Sequence, residues 1–344
     1  MTTFFRPTYS ESTGPQQIAH TETAWHRPEL TIYITDSCAL SCTGCITYNN
    51  YALGGHLSVS KEVVERMESW ARLITVDQIT VLGGEPLSHP ELASWMELVE
   101  RLWPQAQWSM VTNGRALAGR TQEVLSWIER GWDFEVSSHS REDFDAVQAW
   151  WQGVTTLMLA PVAARRLRDE MGITDYWEDS EGRPMMQIGL RDRFYVPVHE
   201  ETVEGNIKWR ELTSARATHS RCPARTCTHL VEGRMYRCPV QATVPRLAER
   251  FHIEGEAGKI AEQDLGYDPL APRGSLSRWM ALLDQPTEQC RLCTWPRPMQ
   301  SLGDVTAKKV KLVKKINPDS PATALEHPAS LDDVEPLPEP SSQA

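Results

Sequence analysis

The chain has no apolar run of membrane-spanning length, which excludes a transmembrane helix. Around Phe4 and Phe5 there is no basic segment followed by a long apolar one, so no secretory leader is expected. Basic residues are outnumbered, 35 Lys and Arg against 46 Asp and Glu, for a formal net charge of −11. That argues against a broad basic surface for nucleic acid. The stretch 317–344, with six acidic residues and no Lys or Arg, supplies about half of the excess. No internal repeat is present. Without a leader, the eight cysteines point to a reducing cytoplasm and to metal ligation rather than disulfides.

What is present begins with Cys38, Cys42 and Cys45, in the run Cys-Ala-Leu-Ser-Cys-Thr-Gly-Cys. Soft thiolates select iron–sulfur clusters or zinc. A purely structural site normally uses four protein ligands, so three close ligands form a site that is either incomplete or open to a small molecule. A zinc knuckle is the alternative; His56, after Gly54-Gly55, is the nearest histidine. Leu30 to Thr35 reads as a strand entering the cysteine loop. Ser60 to Leu73, with Val63, Val64, Met67, Trp70 and Ala71 at helical spacing, reads as a helix. Gln78 to Leu82 reads as a second strand, ending in Gly83-Gly84-Glu85-Pro86. Paired glycines allow close backbone approach to a ligand, and a carboxylate beside them can accept from an amino group.

These two motifs, in this order and at strand ends, resemble the radical S-adenosylmethionine (AdoMet) superfamily over roughly residues 28–195. The resemblance implies that Cys38, Cys42 and Cys45 hold a 4Fe–4S cluster. AdoMet chelates its fourth iron, and the loop Gly83, Gly84, Glu85, Pro86 meets the AdoMet amino group. Gly44 stands where the family often has a bulky residue. The resemblance also implies AdoMet contacts from Thr112 and Asn113 at the third strand end and Ser137 and Ser138 at the fourth. Asn113-Gly114 is a turn pair whatever the ligand. An external one-electron reductant, flavodoxin- or ferredoxin-like, is implied as partner. His139 reads as a surface residue.

Strand–helix alternation predicts an α/β fold with a parallel sheet covered by helices. Expected strands are 30–35, 78–82, 107–112, 133–137, 154–159 and 185–190. Expected helices lie near 60–74, 90–102, 121–130, 141–151 and 162–171. Six strands suit the partial (β/α)6 TIM-like barrel that the resemblance implies. The expected organisation is an N-terminal extension (1–27), a core (28–212), a small cysteine-rich extension (213–303), and a basic segment with a disordered Pro-rich acidic tail (304–344).

The remaining cysteines are Cys222, Cys227, Cys238, Cys290 and Cys293. Cys227 to Cys238 looks like two short strands around Glu232-Gly233, and Cys290-Arg-Leu-Cys293 returns two more thiolates. Four soft ligands in spaced pairs suit a closed cluster or a zinc site. Beside such a core they resemble the SPASM and twitch extensions, which implies a second, auxiliary 4Fe–4S cluster. Five candidates fill four positions, and Cys222 is the first to leave out.

The resemblance implies an enzyme, an oxidoreductase or isomerase. It would cleave AdoMet reductively to a 5′-deoxyadenosyl radical and abstract hydrogen from a small-molecule or nucleotide-linked substrate, giving oxidation or rearrangement. Arg191, Arg193, Lys208 and Arg210 could serve a phosphate. The alternatives are radical modification of a nucleic-acid base or a peptide, and a non-catalytic iron–sulfur or zinc scaffold. No membrane partner is expected.

Overall fold

The computed structural model describes residues 25–301 apart from 43, 52–53, 158–162, 170–171, 192, 196–197, 203–204, 223–226, 273 and 294–298. The N-terminal extension as far as residue 24, the basic segment and the acidic tail lie outside the described residues. Thirteen strands are described: β1 Trp25–Tyr33, β2 Ile74–Leu82, β3 Gln107–Thr112, β4 Trp132–Ser138, β5 Ala163–Asp169, β6 Gly172–Glu178, β7 Pro184–Leu190, β8 Arg193–Tyr195, β9 His199–Glu201, β10 Ile207–Trp209, β11 Cys227–Val231, β12 Arg234–Tyr236 and β13 Met299–Ser301. The described α-helices are α1 Lys61–Leu73, α2 Leu92–Leu102, α3 Thr121–Glu129, α4 Arg141–Leu157, α5 Ala215–Arg221, α6 Pro239–Arg250, α7 Gly255–Ala261 and α8 Leu276–Ala281.

A mainly parallel central sheet organises the molecule, in the order β12-β11-β1-β2-β3-β4-β7-β6-β5. Strands β11, β1, β2, β3, β4 and β7 run parallel. Strands β12, β6 and β5 add antiparallel edges. The α-helices between the parallel strands form as the periodicity predicts. In α1, Ser60 caps the first turn by accepting from the Val63 N–H, and Val63, Met67 and Trp70 form one buried stripe.

Two expected elements are corrected. Residues 154–157 finish α4 rather than starting a strand. Thr155 and Thr156 sit in that helix by donating their hydroxyls to the carbonyls of Trp151 and Gln152 (3.1 and 2.8 Å). Residues 163–169 form strand β5 instead of a helix. Its good helix formers are overridden by cross-strand charge pairing: Arg166 stands opposite Asp175 and binds it through two nitrogens (2.6 and 2.7 Å). The sixth parallel strand is therefore β11, from late in the chain, and not one near residue 154.

Side chains alternate across the sheet. One face is apolar: Leu30, Ile79, Met110, Phe134 and Ile188 are all fully buried in the cluster that also takes in Met67, Trp70, Trp95 and Trp127 from the helices. The other face is polar, with Glu29 opposite Gln78, Ser109 opposite Asp133, and Glu135 opposite Gln187. The C-terminal segment is bonded into this frame. The Trp70 indole donates to the Gly233 carbonyl (2.9 Å), and Arg66 binds Asp268 (2.7 Å). Gly233 has φ +75°, and a Cβ there would come within 2.5 Å of the Arg66 Cβ, so glycine suits the turn between β11 and β12 on both counts. No helix among the described residues is long and apolar enough to cross a membrane.

Candidate active site

The loop after β1 and the loop after β2 are one unit. Ile34 N donates to Leu82 O (2.9 Å), Gly84 N to Thr35 O (2.6 Å) and Glu85 N to Ser37 O (2.8 Å). A Cβ at Gly83 would fall 2.5 Å from the Thr35 carbonyl oxygen, and one at Gly84 would collide with the Ser37 carbonyl. The paired glycines thus let the second loop lie flat on the strand leading to Cys38. Glu85 is 4% exposed. Its carboxylate accepts from Leu87 N (3.0 Å), the Thr112 hydroxyl (2.7 Å) and Asn113 N (2.8 Å). Burial raises its pKa, and these three donors oppose the rise. Glu85 is therefore a brace tying the loop after β2 to the end of β3.

That brace brings Asn113 to the cysteine loop, where its amide lies 4.0 Å from the Cys38 sulfur. Leu40 N donates to Cys38 Sγ (3.4 Å), and the Cys45 sulfur meets the Thr47 hydroxyl (3.3 Å). Cys38, Cys42 and Cys45 group together with Leu40. Burial pushes the Cys38 thiol up to about 11 and the Cys42 thiol to about 12, with the neighbouring cysteines adding to each rise. Among the described residues no three ligating side chains converge on a single metal ion. His56 is engaged elsewhere, with Thr35 (3.0 Å) and the His89 ring (4.9 Å).

At the fourth strand end, Ser138 is wholly buried, its carbonyl accepts from Arg191 N (2.7 Å), and its hydroxyl has no partner among the described residues. Ser137 stands on the polar face beside Gly189. His139 is half-buried rather than on the surface, and its pKa is lowered by burial. Its Nδ1 lies 3.2 Å from the Arg191 carbonyl.

Residues absent from the expected site complete its frame. Asp36, two positions before Cys38, has a fully buried carboxylate. It accepts from the Tyr33 hydroxyl (2.8 Å) and pairs with Arg246 of α6. Its adjacency to the cysteine loop was the one available signal. Tyr48, at φ +57°, is buried against His199 (ring centroids 5.4 Å) and Trp209 (6.5 Å). Burial raises its phenol pKa, and Cys293, Cys238 and Cys45 raise it further, so Tyr48 stands between the two cysteine groups.

Burial raises the Cys238 thiol, and Cys290, Cys293 and Cys222 all add to that rise. Cys238 caps α6, accepting from Gln241 N (3.5 Å). Cys290 accepts from Thr287 N (3.5 Å). Cys227 instead lies in β11, where its sulfur is 3.2 Å from the Thr31 hydroxyl and 3.6 Å from His229 Nε2. Burial holds its thiol up at about 11. Its neighbours also include Cys222, whose charge adds to that rise. Of the basic residues considered for a phosphate, Lys208 is exposed and Arg210 faces Glu200 at 3.7 Å. The Arg193 side chain lies outside the described set.

Residues 28–143 match the family described as "4Fe-4S single cluster domain". Over 99 residues the chain is 31% identical to GTP 3′,8-cyclase of Streptomyces coelicolor (strain ATCC BAA-471 / A3(2) / M145), covering 28% of this chain and 29% of that protein. The chain thus spans under a third of the curated relative it matches. Two solved structures of BtrN are similar at 19% identity: an open conformation (TM-score 0.27, 35% of this chain and 53% of that one), and a complex with AdoMet and 2-DOIA (TM-score 0.26, 35% and 51%). Likenesses of that extent carry no structural argument. The segment matched by the 4Fe–4S single cluster family bears Cys38, Cys42 and Cys45.

Proposed function

We propose that this chain is a cytoplasmic radical AdoMet enzyme acting on a small molecule. The observation that carries this reading is the direct bonding of Gly84 and Glu85 to residues 35–37, with Asn113 brought over Cys38: three loops at the carboxyl ends of parallel strands meet at one thiolate group. When bound, the 4Fe–4S cluster and AdoMet supply one-electron cleavage to a 5′-deoxyadenosyl radical, with the electron from a flavodoxin- or ferredoxin-like donor. Cys38, Cys42 and Cys45 would hold the cluster. Asn113 and the Leu40 N–H stabilise charge on the Cys38 sulfur. Gly83 and Gly84 leave backbone accessible beside it, and Glu85 fixes that backbone. Thr112 keeps Asn113 in place through Glu85, and Ser137 and Ser138 offer hydroxyls at the neighbouring strand end. The six parallel strands serve as the partial barrel such a core needs.

Cys222, Cys238, Cys290 and Cys293 form the proposed ligand set of a twitch-like auxiliary 4Fe–4S cluster. An electron acceptor there favours net oxidation over rearrangement. The test is anaerobic reconstitution with iron and sulfide, iron counting, and assay of 5′-deoxyadenosine. About eight irons per chain with 5′-deoxyadenosine formed, and both reduced in a Cys38/Cys42/Cys45→Ala variant, is the expected result. About four irons with cleavage retained assigns the distal cysteines to zinc. Reconstituted protein that neither binds nor cleaves AdoMet overturns the reading.

A further inference from the structure

A chain of buried polar side chains joins the cysteine loop to α6, and the proposed function leaves it unused. The Cys45 sulfur lies 3.3 Å from the Thr47 hydroxyl. The Asn49 amide lies 2.8 Å from that hydroxyl and 2.9 Å from the Tyr33 hydroxyl. Tyr33 donates to Asp36 (2.8 Å), and Asp36 pairs with Arg246 of α6. Thr47, Asn49, Tyr33 and Asp36 are all buried, none above 6% exposure. Burial and Asp36 raise the Tyr33 phenol pKa, so this hydroxyl keeps its proton. A Cβ at Gly54 would fall 2.6 Å from the Asp36 carboxylate, so backbone closes the far side of the chain.

A hydroxyl carries a single proton, so Thr47 serves either Cys45 or Asn49. While Cys45 is a thiol, Thr47 can accept from the sulfur and donate to the Asn49 oxygen, which then also accepts from Gly84 N (3.1 Å). In that orientation the Asn49 nitrogen donates to Tyr33 (2.9 Å), and each member of the chain has a partner. A Cys45 sulfur that ligates a metal has lost its proton and only accepts. It is then the better acceptor for Thr47, because charge-assisted hydrogen bonds are roughly twice as strong as neutral ones. Turned over, the Asn49 amide donates its nitrogen to the Thr47 oxygen (2.8 Å) and frees the Thr47 proton for the sulfur. Cys38, Cys42 and Cys45 pack together around Leu40, and Cys38 already receives the Leu40 N–H (3.4 Å); Thr47 is the matching donor at Cys45. Hydrogen bonds to the sulfurs help to set the potential of an iron–sulfur cluster, since they favour its more negative, reduced form.

We propose that Thr47 is a positioning residue for the cluster of Cys38, Cys42 and Cys45: supported by Asn49, it donates its hydroxyl proton to the ligated Cys45 sulfur and so raises the reduction potential of the iron–sulfur group held there. This role rests on the iron–sulfur part of the proposed function and not on AdoMet, so the two can fail separately.

The test is a potentiometric titration of the anaerobically reconstituted full chain, read by electron paramagnetic resonance. The signal that disappears in the Cys38/Cys42/Cys45→Ala variant belongs to this group. Thr47→Val keeps the side-chain shape and removes the proton. It is expected to make reduction about tenfold less favourable, the effect of one charged hydrogen bond and a downward shift of about 59 mV for one electron. It is also expected to remove one exchangeable-deuteron coupling from the pulsed ENDOR spectrum in D2O. Thr47→Ser is expected to hold both readouts at their wild-type values. Thr47→Ala takes the place of Thr47→Val where that variant does not load iron. A potential unchanged by loss of the hydroxyl, or a Thr47→Ser shift as large as that of Thr47→Val, overturns the proposal. A wild-type chain that loads no cluster on these three cysteines overturns it together with the iron–sulfur reading. AdoMet is then added to the same samples. A potential shift without any response to AdoMet overturns only the radical reading, and a response to AdoMet without the shift overturns only the role of Thr47.

Discussion

The two faces of the central sheet come from the same strands and differ in nearly every side chain. Toward the helices, β4 presents Trp132, Phe134 and Val136, all buried. Toward the other side it presents Asp133, Glu135 and Ser137, all half-buried. A parallel sheet packed by helices on both faces reads as a near-continuous apolar run. The alternation in Trp-Asp-Phe-Glu-Val-Ser therefore marks a sheet with one apolar face packed by helices and one polar face. The apolar face gains free energy from burial. The polar face gives some of it back, because carboxylates held there lose solvation.

Substitutions at adjacent positions can break this comparison. The largest expected effect is Phe134→Ala, which removes a fully buried ring and costs about 3–5 kcal/mol in urea unfolding. Glu135→Gln, one residue away, is expected to leave stability unchanged or to raise it; equal losses at the two positions would erase the distinction between the faces. Next is Arg246→Ala, which strands the buried Asp36 carboxylate and costs about 3 kcal/mol. Adding Asp36→Asn is expected to recover part of that loss, measured by the same unfolding curves. Gly84→Ala drives a Cβ into the Ser37 carbonyl and costs about 1–3 kcal/mol, with a lower iron count after reconstitution as its specific signature.

A pH series sharpens the same contrast. Burial raises the Asp133 carboxyl from 3.8 to about 7. The folded state therefore binds more protons than the unfolded state between about pH 4 and pH 7. The stability this group contributes is full below the lower value and is lost as pH rises through the upper one. Asp133→Asn is expected to flatten that slope and to be the more stable protein above pH 7. The smallest effect belongs to the surface: Arg141→Ala removes an exposed pair with Asp145 (3.0 Å) and is expected to cost about 0.3–0.5 kcal/mol.

Local chemistry made part of this legible in the sequence. The cysteine spacing, the Gly-Gly-Glu-Pro loop, the strands from β1 to β4, and α1 to α3 depend on residues near one another in the chain, and their patterns were readable. Strand β5 was not, because Arg165 and Arg166 favour a helix until Asp175 stands opposite Arg166 and Glu178 pairs with Arg165 from a diagonal position. The role of Glu85 was legible only as a carboxylate near a ligand. Its binding of Thr112 and Asn113 depends on two loops meeting. The setting of Cys227 was hidden for the same reason: only pairing of β11 with β1 sets its sulfur against the Thr31 hydroxyl. The pairing of Asp36 with Arg246 spans 210 positions, which no local pattern records.

The placement of β11 also has a kinetic consequence. Strand β1 lies between β2 and β11, and Thr31 meets Cys227 across 196 positions of chain. A nascent chain released only as far as residue 212 would hold β1 as a bare edge, with open backbone donors and acceptors facing solvent and other chains. It would also leave the Trp70 indole without its Gly233 carbonyl. Contacts of such long range are slow to form, so this sheet closes its edge late in synthesis, and a fragment cut before β11 is expected to aggregate rather than fold as a free-standing core.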